Sequence, residues 1–376
     1  MRHFITKIFL VLLFFFNFQN TFSQEIKLSD KAFISILTCD SGNELYSLFG
    51  HTAIRVCDDT NNIDVVFNYG TFDFRTPNFY LKFIKGDLQY FVSTNSYGEF
   101  ISDYRYLQRG VYEQKLNLSP AQIQNIYDTL FLSLYSDSRF YTYKFIDRNC
   151  TTMVVDKVQD QLKTPLSLQI KDSNKTNRTI LYGYLENHFY ENLGINIIFG
   201  HKTDKIFDKI FLPLQFMESI SKSKNGNLPL SNTTEIVNPK SETPAPFSVW
   251  NNIYTYISIL AAIVLINRKW LTLGYFIFMG LFGIFLISVG FYSFHSEVEM
   301  NYNALLFNPL LLILVYFMIK NNKKWILKTS YINSVLLIIY TLYLINKPNF
   351  LMFIPMILTN GILLGKLILN LRKNRI

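Results

Sequence analysis

The stretch Phe49-Gly50-His51-Thr52-Ala53-Ile54, read with Arg148-Asn149-Cys150-Thr151-Thr152 far downstream, decides what kind of fold this chain has. From His51 to Val56 the residues alternate as in a half-buried strand, and His51 opens it. Upstream, residues 31–39 read as a strand that ends in the turn Asp40-Ser41-Gly42-Asn43, and Glu44 to Phe49 as a short helix or turn. Downstream, a polar turn over 58–62 leads into a returning strand, Ile63 to Tyr69. A rigid sheet therefore aims the imidazole. Cys150 follows a turn over Asp147 to Asn149 and begins a helix predicted to reach about Leu162. The amides and dipole of a helix N-terminus favour a thiolate, and an imidazole can take the thiol proton. Cys150 as nucleophile and His51 as general base are the expected pair.

Working outward, the aromatic segment 78–85 reads as a short helix stopped by Gly86. Strands are expected over Leu88 to Ser93 and Val111 to Leu118, with a helix at 97–108 between them. Ser119-Pro120 caps a helix from Ala121 to Tyr135, since proline is favoured at the first helical position. Phe140 to Phe145 is extended, and residues 178–220 are mixed. These alternations describe an α+β domain over residues 24–220. The Lys-, Ser-, Asn- and Pro-rich residues 221–247 read as a linker.

Apolar residues make up 49% of the 376, with 35 Phe and 24 Tyr, and they concentrate at the two ends. Residues 1–23 combine Arg2 and Lys7, an apolar core from Ile8 to Phe16 and a small-x-small exit, Thr21-Phe22-Ser23, the pattern of a secretory signal. Residues 248–376 hold five expected spans, at about 250–266, 272–293, 304–320, 329–346 and 350–371. Arg268, Lys269, Lys320, Lys323, Lys324, Lys328, Arg372, Lys373 and Arg375 fall on one side of them. His295, Glu297, Glu299 and Lys347 fall on the other. The positive-inside rule puts the C-terminus in the cytoplasm and the N-terminal domain outside. The formal charge of +9 owes much to these clusters, so it is no sign of nucleic-acid binding.

Other reactive residue types have plainer readings. Three cysteines in an exported chain leave one thiol unpaired; Cys39–Cys57 is a possible bridge, and Cys150 the free one. His188 and His201 lack metal-ligand spacing, and no metal site is expected. Tyr104, Arg105 and Arg109 suit either a lipid phosphate or a solvated helix face. His295, Glu297 and Glu299 suit headgroup contact or docking of the domain on the membrane. Asn308 and Asn333 are expected to bond between helices. Asn149, Thr151 and Tyr69 flank the thiol or imidazole and are candidates for substrate contact, with Arg105 and His295.

Several motifs share one order with a known family. Thr38-Cys39-x-x-Gly42-x-Glu44-Leu45-Tyr46-x-x-Phe49-Gly50-His51-Thr52-Ala53-Ile54-Arg55-Val56 is similar to the N-terminal periplasmic domain of the Lnb-type lipoprotein N-acyltransferases. So are Asn68-Tyr69-Gly70-Thr71-Phe72-Asp73-Phe74, Tyr143-x-Phe145-x-x-Arg148-Asn149-Cys150-Thr151-Thr152, Phe211-Leu212-Pro213 and the loop His295 to Pro309. The domain also resembles circularly permuted papain-like folds, the group of NlpC-type peptidases and lecithin:retinol acyltransferase. There a Gly-His strand precedes an Asn-Cys helix.

The resemblance implies a bacterial inner-membrane enzyme that moves a fatty acyl group through a Cys150 thioester to the N-terminal amine of diacylated lipoproteins. The donor is a phospholipid or the lipoprotein's own ester, and no cofactor is needed. Relatives often orient the base with His or Glu. This chain offers Asn68 or Asp64 instead, with Glu44 and Asp147 left open. Two other readings use the same residues differently: a thiol amidase or peptidase acting on cell-wall peptide, and a non-enzymatic membrane sensor.

Overall fold

The computed structural model describes residues 26–185, 187–240 and 248–373, so the expected signal segment 1–23 lies outside the described residues. Strand β1 (Phe33–Cys39) pairs antiparallel with β2 (His51–Asp58), and β2 with β3 (Ile63–Thr71). Helix α1 (Phe79–Lys85) and strand β4 (Gln89–Ser96) follow. Helix α2 (Tyr97–Tyr106) starts at a reciprocal cap between Ser96 and Glu99. Strand β5 (Val111–Lys115) leads to α3 (Pro120–Tyr135), which carries the Ser119 cap and first-position proline read from the sequence. The short β6 (Phe140–Thr142) then precedes α4 (Cys150–Gln159). Helices α5 (Asn177–Tyr184), α6 (Phe189–Ile198) and α7 (Pro213–Lys222) complete this part.

The expected linker is largely folded. A hairpin of β7 (Lys224–Asn225) and β8 (Leu228–Pro229) is followed by β9 (Glu235–Asn238), which joins the main sheet beside β5. The sheet order is β6-β4-β3-β2-β1-β5-β9. Polar composition misleads here because the side chains are spent on hydrogen bonds. Asn238 Nδ2 donates to the Arg109 carbonyl at 2.8 Å, and Gln114 Nε2 to Thr234 Oγ1 at 3.0 Å. Among the described residues of this segment, only Leu230 is a fully buried apolar anchor.

Alternation sorts the sheet's two faces. Ile34, Ile36, Ile54, Val56, Phe67 and Tyr69 pack with Ile126, Leu130, Val154 and Phe216 in the large core. Leu37, Cys39, Ala53 and Val66 face α2 through Phe100, Ile101 and Tyr104. By the same parity, His51 and Asn68 belong to the α2 side, at the end of β2 and β3 where α4 begins.

The C-terminal region is helical: α8 (Ile253–Ile266), α9 (Lys269–Tyr292), α10 (Leu310–Ile319), α11 (Lys323–Leu344) and α12 (Phe350–Lys373). Among the described residues, four segments are long and apolar enough to cross a membrane: Lys269–Tyr292, Ser296–Ile319, Lys323–Leu344 and Phe350–Lys373. The expected first span is α8. With 14 residues it rises only about 21 Å, short of a hydrocarbon core of about 30 Å. Asn308 Nδ2 donates to Asn333 Oδ1 at 3.1 Å, the interhelical bond expected of these two residues.

The two parts interlock. Leu193 and Ile197 of α6 enter the apolar cluster of the C-terminal helices. Asn303, fully buried, donates to the carbonyls of Asn196 and Ile197 and accepts from the Tyr340 hydroxyl. Glu297, also fully buried, accepts the Ile146 N–H at 2.9 Å, four residues before Cys150.

Candidate active site

Cys150 opens α4, and Asn149 caps the helix: its side-chain oxygen accepts from the N–H groups of Thr151 and Thr152. Such a cap stabilises a helix by roughly 1 kcal/mol. The Asn149 amide nitrogen donates to the carbonyls of Phe145 and Phe211 at 2.7 and 2.9 Å. All its polar atoms are thus used internally. Asn149 places the thiol and offers nothing to a substrate, contrary to the expectation from its position. Thr151 is likewise fully buried, with its hydroxyl 3.0 Å from that of Thr52, so it ties α4 to β2 and does not face substrate.

His51 and Cys150 meet beside Gly70, and the His51 ring and the Thr52 N–H are close enough to the thiol to draw its pKa down. The other side of the ring faces Asn68, with Nε2 3.2 Å from Oδ1. A carboxamide oxygen only accepts, so Nε2 carries the proton and Nδ1 is free to accept one. Asn68 Nδ2 donates to Asn95 Oδ1 at 3.1 Å, which fixes the carboxamide in this direction. Of the residues considered for orienting the ring, Asn68 is the one within hydrogen-bonding reach of it. Asp64, its rival in the sequence, binds Arg55 at the far end of the hairpin. Asp147 pairs with Lys202, and Glu44 precedes a surface turn.

Gly70 makes the corner possible. Its φ is +96°, and a Cβ there would stand 3.3 Å from the Cβ of Cys150 and 4.0 Å from Cε1 of His51. A side chain would be strained in conformation and would crowd Cys150.

The three thiols differ in the direction of their pKa shifts. Burial pushes Cys39 up to about 12 and Cys57 up to about 11. Burial acts on Cys150 in the same direction. There, however, the His51 ring, the Thr52 N–H and the Thr151 hydroxyl outweigh it and bring the thiol below its ordinary value. A Cys39–Cys57 bridge does not form: Cys39 pairs with His51 and Cys57 with Phe33, at opposite ends of the same two strands, and all three cysteines are free.

The remaining expected contacts lie elsewhere. Tyr69 alternates with Asn68 and is fully buried in the large core, packed against Tyr141. Arg105 is an exposed residue of α2, while Tyr104 is buried and Arg109 donates to the Asp40 carbonyl. His295 docks the C-terminal helices on α1: its Nε2 donates to the Phe83 carbonyl at 2.9 Å. Burial holds its pKa below the usual imidazole value. Asn95, the Thr52 N–H and Gly70 are contributors that sequence reasoning did not assign. Only Gly70, inside Asn68-Tyr69-Gly70-Thr71, carried a local signal. Among the described residues, no three His, Cys, Asp or Glu side chains converge as metal ligands.

Comparison with known proteins yields two matches. Residues 18–182 match the family described as the Lnb N-terminal periplasmic domain, and residues 238–374 match the Lnb transmembrane domain. The first contains His51, Asn68 and Cys150; the second begins at the last residue of β9. No curated protein and no solved structure matches the chain.

Proposed function

The chain belongs to the Lnb family, with a periplasmic N-terminal domain and a transmembrane C-terminal part, and on that premise we propose that it is a thiol acyltransferase acting on lipoproteins. The observation that carries this reading is the Cys150–His51–Asn68 chain, set on a domain rooted in apolar helices. The arrangement also agrees with a circularly permuted papain-like fold, in which a strand-borne His meets a helix-start Cys. The proposed setting is the bacterial inner membrane, with the C-terminus in the cytoplasm.

In the first half-reaction Nδ1 of His51 takes the thiol proton, and the sulfur attacks an ester carbonyl of a phospholipid or of the lipoprotein's own glyceryl group. Nearby N–H groups, that of Thr52 among them, steady the negative oxygen. The C–O bond breaks, and the departing alcohol takes the proton back from the imidazolium. A thioester remains on Cys150. In the second half the α-amine of a diacylated lipoprotein attacks that thioester, His51 accepts the amine proton, and the thiol is released. Atoms and charge balance with no cofactor. Water competes for the thioester, so an acceptor held at the membrane surface favours transfer over hydrolysis.

Purified protein in phospholipid nanodiscs is incubated with a diacylated lipopeptide, and the product is weighed by mass spectrometry. The expected product has an acyl group on the α-amine, and Cys150→Ala abolishes it. Peptide cleavage without acyl transfer would replace this reading with a thiol peptidase. Full function of Cys150→Ala and His51→Ala in cells would favour a sensor.

A further inference from the structure

Helix α1 is an anomaly for a water-facing domain. Its seven residues, Phe79 to Lys85, include five large apolar side chains, and none of the seven is buried. Tyr80 is 72% exposed and Leu81 67%, and Phe83 and Ile84 are also exposed. Single exposed apolar residues are ordinary, but a contiguous patch marks an interaction surface.

The position of α1 is fixed by the end of the apolar helix α9. Ser293 Oγ donates to the Ile84 carbonyl at 2.7 Å, the Phe294 N–H to Lys85 at 2.7 Å, and His295 Nε2 to Phe83 at 2.9 Å. Gly86 permits this contact. Its φ is +75°, and a Cβ would meet the His295 ring at 2.9 Å. The last turn of α1 is therefore bonded to the first residues after a span. Next to it, Phe291, Tyr292 and Phe294 are exposed, as aromatic residues at a bilayer interface are. Lys82 and Lys85 supply the cations that anionic headgroups attract.

On its other side the patch continues as an aromatic ridge toward the strand that carries Gly70. Phe79 packs on Phe74 at 4.9 Å and on Phe72 at 5.8 Å, and Phe72 on Tyr90 at 5.2 Å. Phe72 stands two residues after Gly70, against which Cys150 sits. Tyr46, exposed, extends the ridge by its edge contact with Phe72.

We infer that α1 lies in the outer interface of the bilayer that holds the C-terminal helices, and that the ridge Phe79–Phe74–Phe72 conducts a phospholipid ester from it to Cys150. The occupant of the patch is lipid, by continuity with α9. The delivery half of this inference rests on the acyltransferase reading; the membrane contact does not.

Two measurements on the full chain separate these halves. Leu81→Cys, with Lys163→Cys as control, is made in a Cys150→Ala background and labelled with an environment-sensitive fluorophore in nanodiscs. Nitroxide-labelled phospholipid is the quencher. The expected result is blue-shifted emission at position 81 that the labelled lipid quenches, and water-like, unquenched emission at position 163. Water-like emission at 81, or blue-shifted emission that lipid does not quench, would overturn the contact; the second points to a protein partner instead. The paired change Tyr80→Glu with Leu81→Glu is then expected to slow acyl-enzyme formation from vesicle phospholipid severalfold while sparing a short-chain soluble ester. Equal slowing with both donors would overturn delivery. Absence of acyl-enzyme in the unmodified protein would defeat the acyltransferase reading and delivery with it, leaving the quenching result standing.

Discussion

His51 and His295 each give one ring proton to a neighbouring oxygen, and they differ in what meets the second nitrogen. For His51 the donor is Nε2, the acceptor is Asn68, and Nδ1 is left free beside the part-buried Cys150. For His295 the donor is also Nε2, but the acceptor is a backbone carbonyl of α1. Its Nδ1 is sealed in, 4.0 Å from Oε2 of Glu297, too far for a hydrogen bond. The first histidine can exchange a proton with something that arrives. The second can only hold two parts of the molecule together. Residue type is shared; access and the second partner decide the role.

The sharpest way to break this contrast is to remove each ring. Cys150→Ala takes N-acylation to background, and His51→Ala lowers it by about 10²–10⁴-fold, the usual worth of a positioned base. His295→Ala is expected to lower thermal stability in detergent while leaving the reaction within a few-fold. Equal losses of rate from both histidines would erase the distinction.

Asn68→Ala is expected to cost up to about 10²-fold, the effect of a catalytic ring free to turn, and most of it in kcat. Rescue by Asn68→Asp, whose carboxylate can still accept from Nε2, would tie the loss to orientation.

A pH profile sharpens the same point. The folded Cys150 thiol lies below its ordinary value, so native structure favours the thiolate. Alkylation by iodoacetamide should therefore persist as pH falls below the ordinary thiol range. In His51→Ala the profile should move to higher pH, because the largest lowering influence is gone. An unmoved profile would remove His51 from contact with the sulfur.

Glu297→Ala leaves the buried Ile146 N–H without an acceptor, a loss of about 1–3 kcal/mol. Glu297→Gln keeps an acceptor and should lose much less. A fall in melting temperature for Ala exceeding that for Gln checks it, with a smaller effect on rate through the loop before Cys150. Arg105→Ala, an exposed change away from the site, should be neutral within about 0.5 kcal/mol.

Much of this was legible in the sequence because it depends on local pattern. Alternation placed β1 to β3, Ser119-Pro120 placed α3, and the Gly-His and Asn-Cys pairs marked two residues that the fold brings together. The misreadings came where neighbours in sequence are not neighbours in space. Tyr69 follows Asn68 and so points to the opposite face of the sheet. Thr151 follows Cys150 and so turns inward to Thr52. The strand β9 escaped notice because an edge strand bonded through Asn238 needs few apolar residues. Asn95 was invisible, since only the pairing of β3 with β4 brings it to Asn68.

The central claim is a covalent acyl group on one sulfur, and intact-protein mass spectrometry after exposure to phospholipid without acceptor tests it most directly. The account predicts one added acyl mass, mapped to Cys150, released by neutral hydroxylamine and absent in Cys150→Ala. An unmodified Cys150 in protein that nonetheless acylates lipopeptide, or undiminished N-acylation by Cys150→Ala, would contradict it.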